Sequence, residues 1–279
     1  MHRLLTGPLT VESLTIPIAN LPDSWQGMKL VQLSDFHYDG VRLSEWLLSE
    51  AIEAVNQVEP DLILLTGDFV TDVPTPVHQL VTRLKHLQSR LGIYAVLGNH
   101  DLYYRKSKDE VTKALTSIGV KVLWNEVVYP QGDEVALVGL ADYWSKQFQP
   151  APVFEAIDPQ IPRIVMSHNP DSVEDLQQWR VDLQLSGHTH GGQIVIPGLG
   201  PILAYLSPLR HRVPKSARKR LPVLEDPCFR VVQNWQWAAG FYQAGQIQLY
   251  VNRGLGTYLP GRLFCNPEVT VMTLLRAGG

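Results

Sequence analysis

The sequence predicts an α/β protein, and two of its patterns support that prediction. Short apolar runs of strand length, at residues 29–33, 61–65 and 93–97, alternate with segments whose apolar positions recur at helical spacing. Strands that alternate with helices form βαβ units, whose crossovers make neighbouring strands parallel. Closely spaced β-rich runs near 120–140 and a β-rich tail add antiparallel strands. We therefore expect mixed sheets within one domain.

Four helices are predicted from their caps as well as from their apolar spacing. Ser, Thr and Asn accept hydrogen bonds from the unpaired N–H groups at helix N-termini. The caps expected are Ser44, Thr75 with Pro76 as the first helical residue, Ser107 in a capping box with Glu110, and Asn169 ahead of Pro170. These helices should end near residues 58, 92, 119 and 179.

The remaining strands are predicted from alternation and from apolar runs. Residues 9–18 alternate polar and apolar side chains, which is typical of an edge strand. Further strands are expected at about 120–124, 126–130, 134–140, 163–166, 181–185, 246–251 and 269–275.

Composition excludes several classes of protein. The 279 residues are 45% hydrophobic and 18% charged, as in globular proteins, and the net charge of −3 argues against a nucleic-acid partner. No apolar run approaches the roughly 20 residues of a membrane-spanning helix. Cys228 and Cys265 lie far apart and predict reduced thiols. We expect a cytoplasmic protein, and the oligomeric state stays open.

Each strong predicted strand is followed by residues that commonly bind metals. A single such residue is most often a cap or a turn residue, but recurrence at five strand ends favours a site. Ligands of α/β sheets collect at the carboxyl ends of strands, so these side chains should converge. They are Asp35 and His37, Asp68, Asn99 and His100, His168, and His188 with His190.

Carboxylate, imidazole and amide ligands without a thiolate are typical of manganese, iron or zinc centres. Even seven of these eight residues would exceed the needs of one ion with an open position. They suit two ions about 3.5–4 Å apart that share a carboxylate, an arrangement that stabilises a phosphoryl group during in-line attack. The residues therefore predict a hydrolase of phosphoric esters with two divalent metal ions. Mn²⁺ is our first expectation, with Fe or Zn as alternatives.

The motifs resemble those of the calcineurin-like metallophosphoesterases. Asp35-x-His37, Gly67-Asp68, Gly98-Asn99-His100-Asp101, His168 and Gly187-His188-Thr189-His190 follow the five motif blocks of that family in order. The stretches 186–193 (SGHTHGGQ) and 252–257 (NRGLGT) are similar to a bacterial branch. This resemblance implies a four-layer sandwich of two mixed β-sheets flanked by helices, and a single metallophosphoesterase domain over residues 1–279.

The resemblance also implies roles for the residues. It assigns Asp35, His37 and His190 to one metal, Asn99, His168 and His188 to the other, and Asp68 to the bridge. His100 would be catalytic and not a ligand, either protonating the leaving oxygen after attack by a metal-bridging hydroxide or stabilising charge on the phosphoryl group. Some family members orient this histidine with a carboxylate at the position of Thr71. Here Asp101 could replace that carboxylate, or neither group could serve.

A basic and apolar insertion is predicted at about residues 203–238. Six of the 24 basic residues lie within positions 210–220, and the prolines around them argue for loops over a single helix. The flanking apolar residues include Tyr205, Trp235 and Trp237. The segment is either a solvated charged loop or a surface for substrate or membrane, with Arg210 and Arg212 as substrate contacts. Arg253 in the stretch 252–257 is the other candidate phosphate contact.

The substrate is the least specified part of the prediction. A phosphodiester, pyrophosphate or phosphomonoester bond would serve, and the insertion favours a nucleotide-linked lipid such as UDP-2,3-diacylglucosamine, with peripheral contact at the membrane. The alternative is a soluble phosphodiesterase that acts on small nucleotides or other diesters. A non-catalytic metal-binding scaffold is less well supported, because the chain retains His100 and every predicted ligand.

Overall fold

Two six-stranded mixed β-sheets form the centre of the computed structural model, which describes residues 5–214, 218 and 231–278. The first sheet has the order β1-β14-β2-β3-β4-β5, in which β2 to β5 are parallel and β14 runs antiparallel to β2. Its strands are β1 (Thr10–Ile18), β2 (Lys29–Leu33), β3 (Leu62–Leu65), β4 (Ile93–Ala95), β5 (Lys121–Val122) and β14 (Glu268–Arg276).

The second sheet has the order β12-β13-β9-β8-β7-β6, and only its two edge strands run antiparallel to their neighbours. A separate short hairpin follows β9 in the chain. The strands are β6 (Glu126–Val128), β7 (Ala136–Gly139), β8 (Arg163–Met166), β9 (Leu183–Ser186), β12 (Gly240–Ala244) and β13 (Ile247–Val251), with β10 (Val195–Ile196) and β11 (Gly200–Pro201) in the hairpin.

Helices cover both outer faces, so the predicted four-layer sandwich is confirmed. The first three helices share a buried cluster with the first sheet, and the fourth shares one with the second sheet. The helices are α1 (Glu45–Val58), α2 (Val77–Leu84), α3 (Ser107–Thr116), α4 (Ala151–Glu155) and α5 (Ile202–Arg212). Short 3₁₀ helices lie at Asp23–Trp25, His100–Leu102, Pro170–Val173, Asp175–Gln178, His190–Gly192 and Trp235–Trp237.

The strands are apolar on both faces because each face is covered. Along β2 and β3, Leu30, Leu62 and Leu64 pack between the sheets, while Val31 and Ile63 pack under the helices. Successive strand residues point to opposite faces, so one continuous apolar run supplies two core layers. No described helix is both long and apolar enough to cross a membrane.

The helix starts are only partly as predicted. The Ser44 Oγ accepts a hydrogen bond from the Leu47 N–H at 3.2 Å, as expected of a cap. The Thr75 prediction was wrong, because α2 begins at Val77 without a side-chain cap. Ser107 is the first helical residue and not the cap, so the capping box does not form. Asn169 does cap, accepting from the Asp171 N–H at 2.8 Å, but two 3₁₀ helices follow instead of one α-helix.

The predicted end of α2 near residue 92 was also wrong. The helix ends at Leu84, and the side chain of Asn56 on α1 takes over the backbone groups beyond it. Asn56 Nδ2 donates to the His86 carbonyl at 2.8 Å, and Asn56 Oδ1 accepts from the Gln88 N–H at 2.9 Å. A contact from another helix therefore ends α2, which local spacing could not show.

The prediction of loops over residues 203–238 was wrong for its first part. α5 runs from Ile202 to Arg212 with Pro208 inside it, and its Leu203 packs against a buried cluster that includes Trp235. Trp235 is 5% exposed, and Trp237 is partly buried against the cluster of the second sheet. Lys215, Lys219, Arg220 and Cys228 lie outside the described residues. Cys265 is buried with a free thiol.

Candidate metal centre

The predicted ligands lie at the carboxyl ends of strands from both sheets, where they form two clusters. The first cluster is Asp35, His37 and His190, and the second is Asp68, His168 and His188; a third group of His37, Asp68 and His100 overlaps both. In each set, one ligand atom per residue lies within 4.8 Å of the others. His188 and His190, two residues apart in one turn, belong to different clusters, which is the division that the family resemblance implied.

Asp68 connects the two clusters. Its Oδ2 lies 3.2 Å from His168 Nε2 in its own cluster and 3.4 Å from His37 Nε2 in the first. His190 Nε2 lies 3.0 Å from His37 Nε2 and 3.4 Å from Asp35 Oδ1, which closes the first cluster. The geometry thus places one carboxylate between two sets of imidazoles, as a bridging ligand requires.

Backbone carbonyls determine which nitrogen each imidazole turns toward the clusters. His168 Nδ1 donates to the Thr66 carbonyl at 2.7 Å and His190 Nδ1 donates to the Gly256 carbonyl at 3.2 Å. A carbonyl only accepts, so the opposite nitrogen, Nε2, keeps its lone pair for a metal. In His188 the roles are reversed, because Nε2 donates to the Val231 carbonyl at 3.0 Å and Nδ1 faces the cluster.

The turns that carry the ligands are strained. Asp35, His37, Asp68, His188 and His190 all have φ between 43° and 72°, in the left-handed region that disfavours side chains. Each such residue costs about 1–3 kcal/mol, and such residues cluster at functional sites. Two glycines allow the loops to approach so closely: a Cβ on Gly98 would lie 2.2 Å from Asp68 Oδ1, and one on Gly187 would lie 2.2 Å from Asp35 Oδ2.

The donor set fits a pair of divalent cations. Carboxylates and neutral imidazoles are the ligands that manganese, iron and zinc accept. The predicted ligand Asn99 adds an independent observation, since its Oδ1 is buried without a hydrogen-bond partner among the described residues. A buried amide oxygen left without a partner calls for a ligand, and a cation beside the second cluster would satisfy it.

His100 is held beside Asp68 by two hydrogen bonds. Its backbone N–H donates to Asp68 Oδ1 at 2.9 Å, and its ring Nδ1 donates to the Thr71 carbonyl at 2.6 Å. A main-chain oxygen therefore orients the ring, whereas the sequence left open whether Asp101 or neither carboxylate would orient it. Asp101 instead accepts from the backbone N–H groups of Asp68, Gly98 and two neighbours, which shapes the loop.

Electrostatics separate the histidines. Burial lowers the pKa of His188 to about 4 and that of His190 to about 3, so both rings are neutral at pH 7. Burial also opposes charge on His168, yet the Asp68 carboxylate raises its pKa to about 10. Burial lowers the pKa of His100. The pKa of Asp68 lies well below its usual range despite burial, because His168 and His100 stabilise its charge.

Three residues around the ligands were missed by the sequence reasoning. The Tyr258 hydroxyl lies 2.9 Å from His37 Nδ1, and the Arg42 guanidinium lies 4.5 Å above the Tyr258 ring. Arg262 is buried and donates to the carbonyls of Gly256 at 2.6 Å and Arg253 at 2.8 Å, which ties the loop that orients His190. Tyr258 directly follows the NRGLGT stretch, and that position was the one available signal.

The arginines predicted to bind substrate lie in two places, the loop after β13 and the end of α5. Arg253 forms ion pairs with Glu12 at 2.7 Å and Glu268 at 2.9 Å, and it donates to the Asn266 carbonyl at 2.9 Å. A phosphate would have to displace these acceptors to reach the guanidinium. The contacts of Arg253 in the structure therefore indicate a structural role. Arg210 and Arg212 lie on the last turns of α5, and their role in substrate binding stays a prediction.

The glycines after His190 make a tight turn, with φ of 63° at Gly191 and 71° at Gly192. Neither glycine can carry a side chain unless its neighbours move. A Cβ on Gly191 would lie 2.6 Å from Cys265 Sγ, and one on Gly192 would lie 2.6 Å from the Cβ of Pro201. The space beside them is filled by the chain itself.

Comparison with known proteins gives consistent matches. The sequence model described as calcineurin-like phosphoesterase matches residues 28–192. The phosphodiesterase YaeI of Escherichia coli (strain K12) is 34% identical over 263 residues, covering 92% of this chain and 86% of that one. The uncharacterized metallophosphoesterase YkuE of Bacillus subtilis (strain 168) is 30% identical, covering 93% and 83%. The UDP-2,3-diacylglucosamine pyrophosphatase LpxG of Chlamydia trachomatis serovar D is also 30% identical, covering 92% and 87%.

Proposed function

This chain belongs to the calcineurin-like phosphoesterase family and is a metal-dependent hydrolase of phosphoric esters, and we propose that its substrate is a nucleotide-linked lipid cleaved at the pyrophosphate bond. UDP-2,3-diacylglucosamine is the representative compound. The observation that carries the substrate proposal is a group of exposed apolar side chains beside the metal centre. The relative LpxG, named for that pyrophosphatase activity, agrees in chemistry.

We assign the ligands as the two clusters divide them. Asp35, His37 and His190 would hold one ion, His168, His188 and Asn99 the other, and Asp68 both. We propose Mn²⁺ as the metal, with Fe or Zn as alternatives, since the donor set lacks a thiolate. Two divalent cations supply, when bound, the positive charge that stabilises the transferring phosphoryl group and makes water nucleophilic at neutral pH.

We assign to His100 the transfer of a proton to the leaving oxygen. With Nδ1–H bound to the Thr71 carbonyl, its Nε2 is the atom that can hold and release a proton. Its backbone bond to Asp68 keeps the ring next to the bridging carboxylate. Burial lowers the pKa of His100, which makes its protonated form a stronger acid for this step.

The apolar rim consists of Ile196, Leu199, Leu259, Leu263 and Phe264. Leu259 is 84% exposed, Phe264 is 69% exposed and Leu199 is 63% exposed. The two parts of the rim are joined, because the Val195 N–H donates to the Leu263 carbonyl at 2.9 Å. Exposed apolar side chains gathered in this way mark a binding surface for apolar partners.

The rim adjoins the metal centre along the chain on both sides. Its hairpin follows the His190–Gly192 turn, and Leu259 follows Tyr258, whose hydroxyl contacts His37. The basic helix α5 is next to it, since the Tyr205 hydroxyl donates to the Leu199 carbonyl at 2.6 Å. Apolar side chains beside arginines suit acyl chains and anionic headgroups, so we propose that the protein contacts the membrane peripherally at this rim.

The reaction class is tested with bis(p-nitrophenyl) phosphate and Mn²⁺-loaded protein. Wild type should hydrolyse the diester, and His100→Asn should lower kcat by about 10²–10⁴-fold, the usual contribution of a general acid. Elemental analysis should still find two ions per chain in the variant, because His100 is not a ligand in this assignment. Loss of one ion would make His100 a ligand and contradict the assignment.

The substrate proposal is tested with a double variant, Leu259→Ser with Phe264→Ser. We expect turnover of UDP-2,3-diacylglucosamine in mixed micelles to fall by about tenfold or more, because each large apolar side chain contributes about 1.5–3 kcal/mol when buried. Hydrolysis of bis(p-nitrophenyl) phosphate should not change. The control is Tyr129→Ser, an exposed aromatic residue that directly follows β6, an edge strand of the second sheet. Equal loss on both substrates, or none on either, would favour the small-diester alternative.

A further inference from the structure

We propose that residues 231–238, which we call the brace, orient His188 and thereby set the affinity of the second cluster for its ion, independently of the first cluster. The brace returns to the sheet edge after the basic segment. The inference rests on the proposed two-metal function and adds a positioning element to it. None of the predicted ligands belongs to the brace.

His188 is the ligand whose orientation depends on the brace. Its Nε2 donates to the Val231 carbonyl at 3.0 Å, which leaves the lone pair on Nδ1, 3.1 Å from His168 Nε2. His168 and His190 donate instead to Thr66 and Gly256. Without the Val231 carbonyl, the His188 ring could rotate or change tautomer and would no longer present Nδ1 to the cluster.

The Val231 carbonyl is itself held in place by two further donors. Asn169 Nδ2 donates to it at 2.9 Å and Trp144 Nε1 donates to it at 2.7 Å. These side chains come from the loops after β8 and β7, so three loops converge on one oxygen. An oxygen that accepts three hydrogen bonds has little freedom to move, which suits an orienting group.

The rest of the brace is fixed by a buried carboxylate and by packing. Asp171 is 3% exposed and accepts from the Gln233 N–H at 2.8 Å and the Asn234 N–H at 3.0 Å. Val232, which is 3% exposed, packs with Trp235 against Leu203 of α5. The Thr189 hydroxyl, between the two histidines, donates to the Ala238 carbonyl at 2.5 Å.

The consequence is a difference between the two ions. Partners that orient a ligating histidine typically change metal affinity by about 10–100-fold when they are removed. Loosening the brace should weaken the ion at His188 and leave the ion at His190 unchanged, because the His190 ring is held by the Gly256 carbonyl.

The test is a calorimetric titration of metal-free protein with Mn²⁺. Asp171→Ala removes the acceptor of two brace N–H groups, and Trp144→Phe removes one donor to the Val231 carbonyl while keeping a ring. The Mn²⁺-binding event of the second cluster is identified as the one that His188→Asn abolishes. Its Kd should rise in both variants, by about 10–100-fold in Asp171→Ala. The event that His190→Asn abolishes should stay within about threefold of wild type.

Glu174→Ala is the matched control. Asn234 Nδ2 donates to Glu174 Oε1 at 3.5 Å, and the Glu174 carboxylate accepts no backbone N–H of the brace. Both Mn²⁺-binding events of this variant should therefore match wild type. Equal weakening of both events, or no change in either, in a variant that melts like wild type would overturn the proposal. If Asp171→Ala does not fold, Trp144→Phe decides. Absence of phosphoesterase activity in wild type would refute the proposed function but leave this titration readable.

Discussion

The two clusters of candidate metal ligands differ in the groups that orient their histidines. In the first cluster, the His190 ring donates to the Gly256 carbonyl and the His37 ring contacts the Tyr258 hydroxyl. Gly256 and Tyr258 lie in one loop, which Arg262 holds by donating to the Gly256 carbonyl. In the second cluster, the His168 ring donates to the carbonyl of Thr66, which directly follows β3, while the His188 ring donates to the carbonyl of Val231 in the brace. One cluster is thus supported by a single loop and the other by two separate parts of the chain.

The clusters differ in charge as well. The Asp68 carboxylate raises the pKa of His168 to about 10, whereas burial lowers that of His190 to about 3. A histidine must lose its proton before it binds a metal. Two sites of similar composition are therefore expected to differ in affinity, in pH dependence and in response to mutation.

The largest effect should come from the shared carboxylate. Asp68→Asn removes the charge that both clusters approach, so both Mn²⁺-binding events should weaken. Hydrolysis of bis(p-nitrophenyl) phosphate should fall by about 10²–10³-fold, the order seen when a preorganised charge-stabilising group is lost. Asp72→Asn, four residues on and exposed, is the control and should keep both properties. A single weakened event would show that Asp68 serves only one cluster.

The next effect separates the clusters through neighbouring histidines. His188→Asn and His190→Asn should each abolish one Mn²⁺-binding event and spare the other, with an affinity loss of at least about 10²-fold for the event affected. The two variants should lose different events, because the structure places the rings in different clusters. Elemental analysis and calorimetry measure this. Loss of the same event in both variants would be incompatible with the division.

A smaller difference should appear with pH. Below a pKa of about 10, His168 of the metal-free protein keeps its proton, and a metal must displace it. The affinity of the second cluster should therefore increase about tenfold as the pH rises from 7 to 8. His188 and His190, with pKa values lowered to about 4 and about 3, have no proton to lose in this range. Titrations at both pH values measure the two slopes, and equal slopes would contradict the assignment.

The smallest kinetic effect is expected at Arg253, behind the first cluster. Arg253→Gln should change the KM for bis(p-nitrophenyl) phosphate by less than about twofold, because its guanidinium is paired within the protein. The same change leaves Glu268 buried without its partner, so the free energy of unfolding should fall by about 3 kcal/mol. Denaturant melts and steady-state kinetics measure the two quantities. A tenfold rise in KM with unchanged stability would instead support the sequence-based substrate contact.

The parts of the fold that the sequence predicted well are those decided locally. Buried strands needed continuous apolar runs, because both faces of each sheet are covered, and Ser44 capped its own helix. The end of α2 was mispredicted because an Asn56 side chain from another helix takes its backbone groups. α5 was mispredicted because burial against Trp235 outweighs the presence of Pro208.

At the metal centre, the sequence by itself determined which donor atoms are present, since strand ends carry them to one edge of the sheets in chain order. The tertiary structure decided which nitrogen each ring presents and which group holds it. Thr71, Val231 and Gly256 act through backbone carbonyls, and every residue has one. Side-chain identity leaves no trace of such contacts, so only the folded chain reveals them.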